Sequence, residues 1–134
     1  MRIAIAGANE TVGAEAVRVL RARGHDVRML SSGPGLAEAL IGVQVVVDAS
    51  RSGFVDGTRR LLSAEREAGV GHHVGVSLIG VDRVGGPYSR RKLAQEAAIR
   101  AGGVPWATRS LRSGGLTNPG AWRGKTTFDE SLSA

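Results

Sequence analysis

M-R-I-A-I-A-G-A-N-E-T-V-G-A-E-A-V-R-V-L-R-A-R-G-H-D-V-R-M-L, residues 1–30, reads as strand, glycine-bearing turn, helix and strand. Ile3 and Ile5 alternate with small residues, as in a central strand buried on both faces. Gly7 breaks the strand, and Val12, Ala16, Val19 and Leu20 then recur at helical spacing with Glu15, Arg18 and Arg21 turned outward. Gly24 stops that helix, and His25 to Leu30 forms the next strand. Strand, helix and parallel strand in about 30 residues make one βαβ unit, whose first turn is where a dinucleotide pyrophosphate sits.

The turn departs from the dinucleotide fingerprint at one place. That fingerprint uses three glycines, for a tight turn, for close approach of backbone to pyrophosphate, and for helix–strand packing. Gly7 and Gly13 hold the first and last positions, and Glu10 holds the middle one. A carboxylate about 4 Å from a phosphate costs roughly 4 kcal/mol at an effective dielectric near 20, and less if it swings into water. Alternatively, Glu10 is a first-turn acid that stabilises the helix N-terminus. Either way it competes with a bound phosphate for the same partial positive charge. Cofactor binding is expected through the amide groups of Gly7, Ala8, Asn9, Thr11, Val12 and Gly13, weakened by Glu10.

A chain of 134 residues with 20 glycines and 42% apolar residues suits one turn-rich α/β domain with a modest core. Cysteine is absent, which excludes disulfides and thiol catalysis and fits a reducing interior. No signal peptide precedes the first strand and no apolar run approaches membrane-spanning length, so a soluble cytoplasmic protein is expected. The net charge of +6 raises nucleic acid as a partner. However, Arg18, Arg21, Arg23, Arg59, Arg60 and Arg66 are spread over helix faces, and aromatics make up only 4% of the chain. A solvated basic surface is the expected reading, with no nucleic-acid partner.

Downstream, Ser31-Ser32-Gly33-Pro34-Gly35 is a turn cluster followed by a short helical patch, Leu36 to Ile41. Val43 to Val47 is a third strand, nearly all β-branched, ending in Asp48-Ala49-Ser50. Phe54, Thr58, Leu61 and Leu62 mark the inward face of a helix closed by Gly69. His73 to Ile79 reads as a fourth strand, Tyr88 to Ala101 as a helix with Leu93 and Ala97 inward, and Val104 to Thr108 as a fifth strand. From Arg109 to Ala134 the apolar pattern dies, so a dinucleotide-binding domain over 1–108 and an irregular tail over 109–134 are expected. The alternation of strands and helices predicts an α/β, doubly wound parallel sheet in the order 2-1-3-4-5. Ligand then binds beyond the carboxyl ends of strands one and three.

Three segments together carry a resemblance: the turn G-A-N-E-T-V-G, the stretch H-H-V-G-V-S-L-I-G-V-D, and Tyr88-Ser89-Arg90-Arg91-Lys92 followed by L-A-Q-E. In these the chain resembles the atypical (extended-type) short-chain dehydrogenase/reductase family, in its NmrA-like NAD(P)-binding branch, over roughly residues 1 to 108. The resemblance implies a Rossmann-like fold, an NADP or NAD cofactor, and oxidation or reduction of a small carbonyl or alcohol. It also implies that Lys92 holds the nicotinamide ribose.

The chemistry of the three residues agrees with this. Tyr88 and Lys92 are four apart and share one helix face. An ammonium beside a phenol favours the phenolate, which suits Tyr88 to proton transfer at a carbonyl oxygen, and Ser77 at its strand end can hydrogen-bond the same oxygen. A purely structural reading stays open, in which Tyr88 is a half-buried anchor, Lys92 a surface charge and Ser77 a strand-end hydroxyl. So do two non-enzymatic readings: a dinucleotide-binding sensor and a degraded family remnant.

Several features differ from the family pattern. An edge strand and helix are missing between Ser32 and Leu36. The substrate-binding region that follows the last strand in the family is replaced by the unpatterned tail, as in a truncated or frame-shifted product. The second strand is then an exposed edge that invites a homodimer. An acid at the end of that strand would grip the adenosine ribose of NAD, but Ser31 and Ser32 stand there. This tilts the expectation to NADP, although no arginine follows to bind the added phosphate. Asp48, Ala49 and Ser50 are further expected cofactor contacts, with Asp48 as a turn cap the alternative. His72 and His73 precede a strand and lack a third ligand at useful spacing, so no metal site is expected.

Overall fold

The computed structural model describes residues 1–31, 34–50, 54–78 and 86–111. Five strands form a parallel sheet in the order β2-β1-β3-β4-β5, namely β1 (Arg2–Ala6), β2 (Asp26–Leu30), β3 (Val45–Asp48), β4 (His72–Leu78) and β5 (Trp106–Leu111). Between them run the helices α1 (Thr11–Ala22), α2 (Leu36–Ala39), α3 (Phe54–Ala68) and α4 (Gly86–Arg100). This is the doubly wound parallel order expected from the alternation of elements. Among the described residues no helix is long and apolar enough to cross a membrane.

Alternation along the strands divides the core between the two faces of the sheet. Ile3, Ile5, Val45, Val47 and Val74 pack with Ala16, Val17 and Leu20 of α1. Ala4 and Val46, pointing the other way, pack with Leu40, Leu61 and Ala64 from the α2 and α3 side. Leu62 of α3, Ile99 of α4 and Val104 form a third cluster that ties the last helix to its neighbour. The burial expected for Thr58, Leu61 and Leu62 is observed, and the side chain of Phe54 lies outside the described residues.

Several boundaries move. β3 runs from Val45 to Asp48 rather than Val43 to Val47, because Val43 and Gln44 are taken up by hydrogen bonds to Leu40 and Arg2 that lead the chain into the strand. β4 begins at His72, so both histidines lie in the strand and not before it. Ile79 lies outside the described residues. β5 continues to Leu111, pairing Arg109, Ser110 and Leu111 with Val76, Ser77 and Leu78, so ladder pairing carries three residues of the expected tail into the sheet. Residues 112–134 of that tail lie outside the described residues.

The larger correction concerns α4. Leu93 and Ala97 face solvent, Leu93 being 36% exposed, while Ser89, Lys92, Gln95, Glu96, Ala98 and Ile99 are buried. The inward face of this helix is largely polar. Apolar spacing at Leu93 and Ala97 therefore points to the wrong side: hydrogen bonds to α3 and β4, together with the burial of Ala98 and Ile99, orient it.

Candidate functional site

The loop after β1 is set by two glycines in contact. Gly7 has φ +78°, and a Cβ there would lie 2.7 Å from the backbone nitrogen of Ser50. A Cβ on Gly13 would collide with the carbonyl oxygen of Gly7. The N-terminal turn of α1 thus lies directly on the loop, and the loop lies directly on the end of β3. No residue with a side chain fits either place. These are the tight-turn and helix-packing roles that the first and third glycines of the fingerprint fill.

Glu10 occupies the N-cap of α1 with extended backbone (φ −88°, ψ 162°), its N–H bonded to Gly7 O at 3.0 Å and its carbonyl accepting from Ala14 at 2.8 Å. Its side chain makes no capping hydrogen bond, and α1 has no acid in its first turn. The carboxylate therefore does not close the helix terminus in the way a side-chain cap would. The first N–H groups of a helix have no intrahelical acceptor and carry partial positive charge, so this terminus is of the kind that receives a phosphate.

A cavity of about 1250 Å³ opens beside the loop, on the α2 and α3 side of the sheet. That exceeds the range of about 300–1,000 Å³ usual for small-molecule pockets and suits an extended ligand. Gly7, Ala8 and Asn9 line it from the loop, Ser31 from the end of β2 and Ser50 from beyond β3. Glu10 lines it as well. Thr11, Val12 and Gly13 belong to the first turn of α1 and are not part of its wall. Ser32 lies outside the described residues.

Asp48 and Ala49 turn away from the cavity. Both are buried, and the Asp48 carboxylate is occupied: Oδ1 accepts from Ser50 N at 3.2 Å and Ser50 Oγ at 2.6 Å, and Oδ2 accepts from Thr58 Oγ1 at 3.1 Å. Of the two roles weighed for Asp48, this geometry is that of a turn cap. Its bond to Thr58 also ties β3 to α3.

From Thr58 the hydrogen bonds continue to the candidate catalytic lysine. Gln95 Nε2 donates to Thr58 Oγ1 at 2.9 Å, and Lys92 Nζ donates to Gln95 Oε1 at 3.1 Å. Lys92 Nζ also donates to Val76 O at 3.1 Å, one residue before Ser77. Every donor in the series points toward Asp48, so an ammonium and a carboxylate are joined through two neutral side chains. Lys92 is only 4% exposed and is no surface charge. Tyr88, one turn earlier, is 40% exposed. The structure thus brings Lys92 to the backbone beside Ser77, whose side chain lies outside the described residues, and leaves Tyr88 at the surface of the same helix.

A second buried polar pair lies deeper in α3. His73 Nδ1 is 2.8 Å from Glu65 Oε2, both side chains being fully buried. Burial pushes the Glu65 carboxyl above its ordinary range, and the His73 contact opposes that rise. The pair joins α3 to β4 and lies among structural side chains.

Gln95 and Thr58 were not recognised as site residues from sequence, since neither forms a motif. Arg60, which lines the cavity from α3, was read as surface charge. One signal was available: Gly57, Arg60, Ala64 and Glu67 recur at helical spacing, and all four line the cavity.

No protein-family model and no curated protein matches the chain. Solved structures do. A short-chain dehydrogenase/reductase superfamily protein from Agrobacterium tumefaciens with bound NAD is 26% identical, with a TM-score of 0.66 over 84% of this chain and 48% of that one. An NADPH-dependent quinone oxidoreductase from Escherichia coli, complexed with NADPH, is 22% identical at a TM-score of 0.61, over 79% of this chain and 47% of that one. The dTDP-glucose 4,6-dehydratase DesIV from Streptomyces venezuelae, with NAD bound, is 19% identical at a TM-score of 0.70, over 84% and 55%. The chain spans about half the length of these structures.

Proposed function

We infer that this chain, whose fold is that of the extended short-chain dehydrogenase/reductase structures, binds a nicotinamide adenine dinucleotide and serves as the cofactor-binding part of an oxidoreductase acting on a small carbonyl or alcohol. The observation that carries the reading is the contact between Gly7 and Gly13, which brings the N-terminus of α1 against the loop at the edge of the cavity. The branch of the family is read as NmrA-like from its sequence pattern.

The residues fit the group. Gly7, Ala8 and Asn9 face the cavity where a diphosphate would meet bare backbone, and Thr11, Val12 and Gly13 would direct N–H groups toward it from the first turn of α1. Ser31 and Ser50 line the cavity, where Ser31 would meet the adenosine ribose and Ser50 would border the middle of the ligand. The cofactor, when bound, supplies or accepts hydride. Tyr88 would hold and deliver the proton at its phenolic oxygen, Ser77 would steady the substrate oxygen, and Lys92 would keep the local field positive and hold the nicotinamide ribose.

The test is a thermal-shift screen with NAD⁺, NADP⁺, NADH and NADPH. A ligand that binds only the folded chain raises its melting point, so at least one dinucleotide should do so, and no shift with any of them overturns the reading.

A non-catalytic dinucleotide-binding module is the second reading. It is favoured by the commitment of Lys92 Nζ to Val76 O and Gln95 Oε1 inside the protein. Tyr88→Phe separates the two: an oxidoreductase loses turnover across a carbonyl panel and keeps its cofactor affinity, whereas a module has no turnover to lose.

A further inference from the structure

Resting on the dinucleotide reading above, we propose that Arg60 selects NADP over NAD by binding the phosphate on the 2′-hydroxyl of the adenosine ribose. In dinucleotide folds that hydroxyl lies at the end of the second strand, about 20 residues beyond the glycine turn, where an acid grips it or a nearby arginine accommodates its phosphate. Here the described residue at that place is Ser31, exposed and lining the cavity. A serine neither repels a phosphate nor neutralises one. A phosphomonoester carries about −1.5 to −2 charges at neutral pH and needs a cation nearby.

The sequence after β2 offers no arginine, but the fold brings one from elsewhere. Arg60 stands on α3, 29 positions beyond Ser31, and lines the same cavity. Among the described residues lining that cavity it is the one cation. It is exposed, and among the described residues no hydrogen bond or ion pair holds it. Its planar fork of N–H donors matches a phosphate face in a way a lysine does not. The cavity also carries two acids. Glu67 lies seven residues farther along α3, about 10 Å along the helix axis, and Glu10 lies in the glycine loop. Without Arg60 the described charges of this wall are all negative and would disfavour the added phosphate. That makes selection for NADP depend on a single side chain.

Titration calorimetry on the full chain tests this, with NADP⁺ and NAD⁺ as paired ligands and adenosine 2′,5′-bisphosphate against 5′-ADP as paired fragments. The wild-type chain should prefer the 2′-phosphorylated member of each pair. Arg60→Leu should weaken it roughly tenfold or more, as for loss of a charge-assisted contact, and leave NAD⁺ within about twofold. Arg60→Lys should restore part of the loss. The unfolding midpoint of each variant, expected to match wild type because the side chain is exposed, removes folding as an explanation. The proposal is overturned if wild type binds NAD⁺ as tightly as NADP⁺, or if Arg60→Leu weakens both equally or neither. Failure of all four ligands to bind wild type overturns the dinucleotide reading and Arg60 with it. NAD⁺ binding without preference removes Arg60 alone.

Discussion

Gly13 lies against Gly7 so closely that a Cβ on the first would occupy the space of the carbonyl oxygen of the second. The consequence is a helix that starts on top of the loop, and that loop lines a cavity.

Gly13→Ala should therefore destabilise the fold, against the usual trend of glycine replacement within a helix. Either α1 lifts from β1 or the loop shifts, at a cost of roughly 1–3 kcal/mol as for other overpacked sites. Urea denaturation checks this, and an unchanged midpoint would mean that the contact is looser than described. Nucleotide affinity should fall with it, because the amides move.

The series Lys92, Gln95, Thr58, Asp48 should act as a unit. Thr58→Val leaves Asp48 Oδ2 and Gln95 Nε2 without their hydroxyl partner in a buried setting, for a loss of about 1–3 kcal/mol. Gln95→Leu removes the neighbour of both Thr58 and Lys92. In a double-mutant cycle the two changes should couple by about 0.5–3 kcal/mol, whereas distant sites add within about 0.5 kcal/mol. Simple additivity would show that the hydrogen bonds are independent.

Glu65 gives a pH signature of defined sign. Burial raises its carboxyl above the ordinary value of 4.5, so the folded chain keeps that proton at pH values where the unfolded chain has lost it. The associated stability is fully present below the ordinary value and is lost as pH rises through the raised one. Glu65→Gln, a permanent mimic of the protonated acid, lacks this slope. Measured as the difference in unfolding free energy from pH 4 to about pH 8, wild type should lose ground to the variant as pH rises. A wild type that gains ground would contradict the assignment.

Much of this architecture was legible in the first 30 residues. Ile3, Ile5, Gly7, Gly13 and Leu20 carry local information, and the alternation of strands and helices then dictates the parallel order that is observed. The orientation of α4 was not legible, because its buried face carries Lys92, Gln95 and Glu96 while the apolar Leu93 stays outside. Apolar periodicity reports hydrophobic burial, and Lys92 and Gln95 on this face are held by hydrogen bonds, beside the apolar Ala98 and Ile99. The direction of the Asp48 carboxylate was equally hidden. It depends on Thr58, ten residues later and one element away. Arg60 escaped for a similar reason: it shares a cavity with Ser31 only once the chain has folded.

The central claim is that the loop from Gly7 to Gly13 receives a diphosphate despite the carboxylate of Glu10. Its most direct test is titration of NADPH fluorescence with the wild-type chain and with Glu10→Gly, a change an N-cap tolerates at a cost of only a few tenths of a kcal/mol. Saturable binding by both is expected, several-fold tighter in the glycine variant, because the change removes a negative charge that repels the phosphate. Equal affinity, or no saturable binding by either protein, would contradict it.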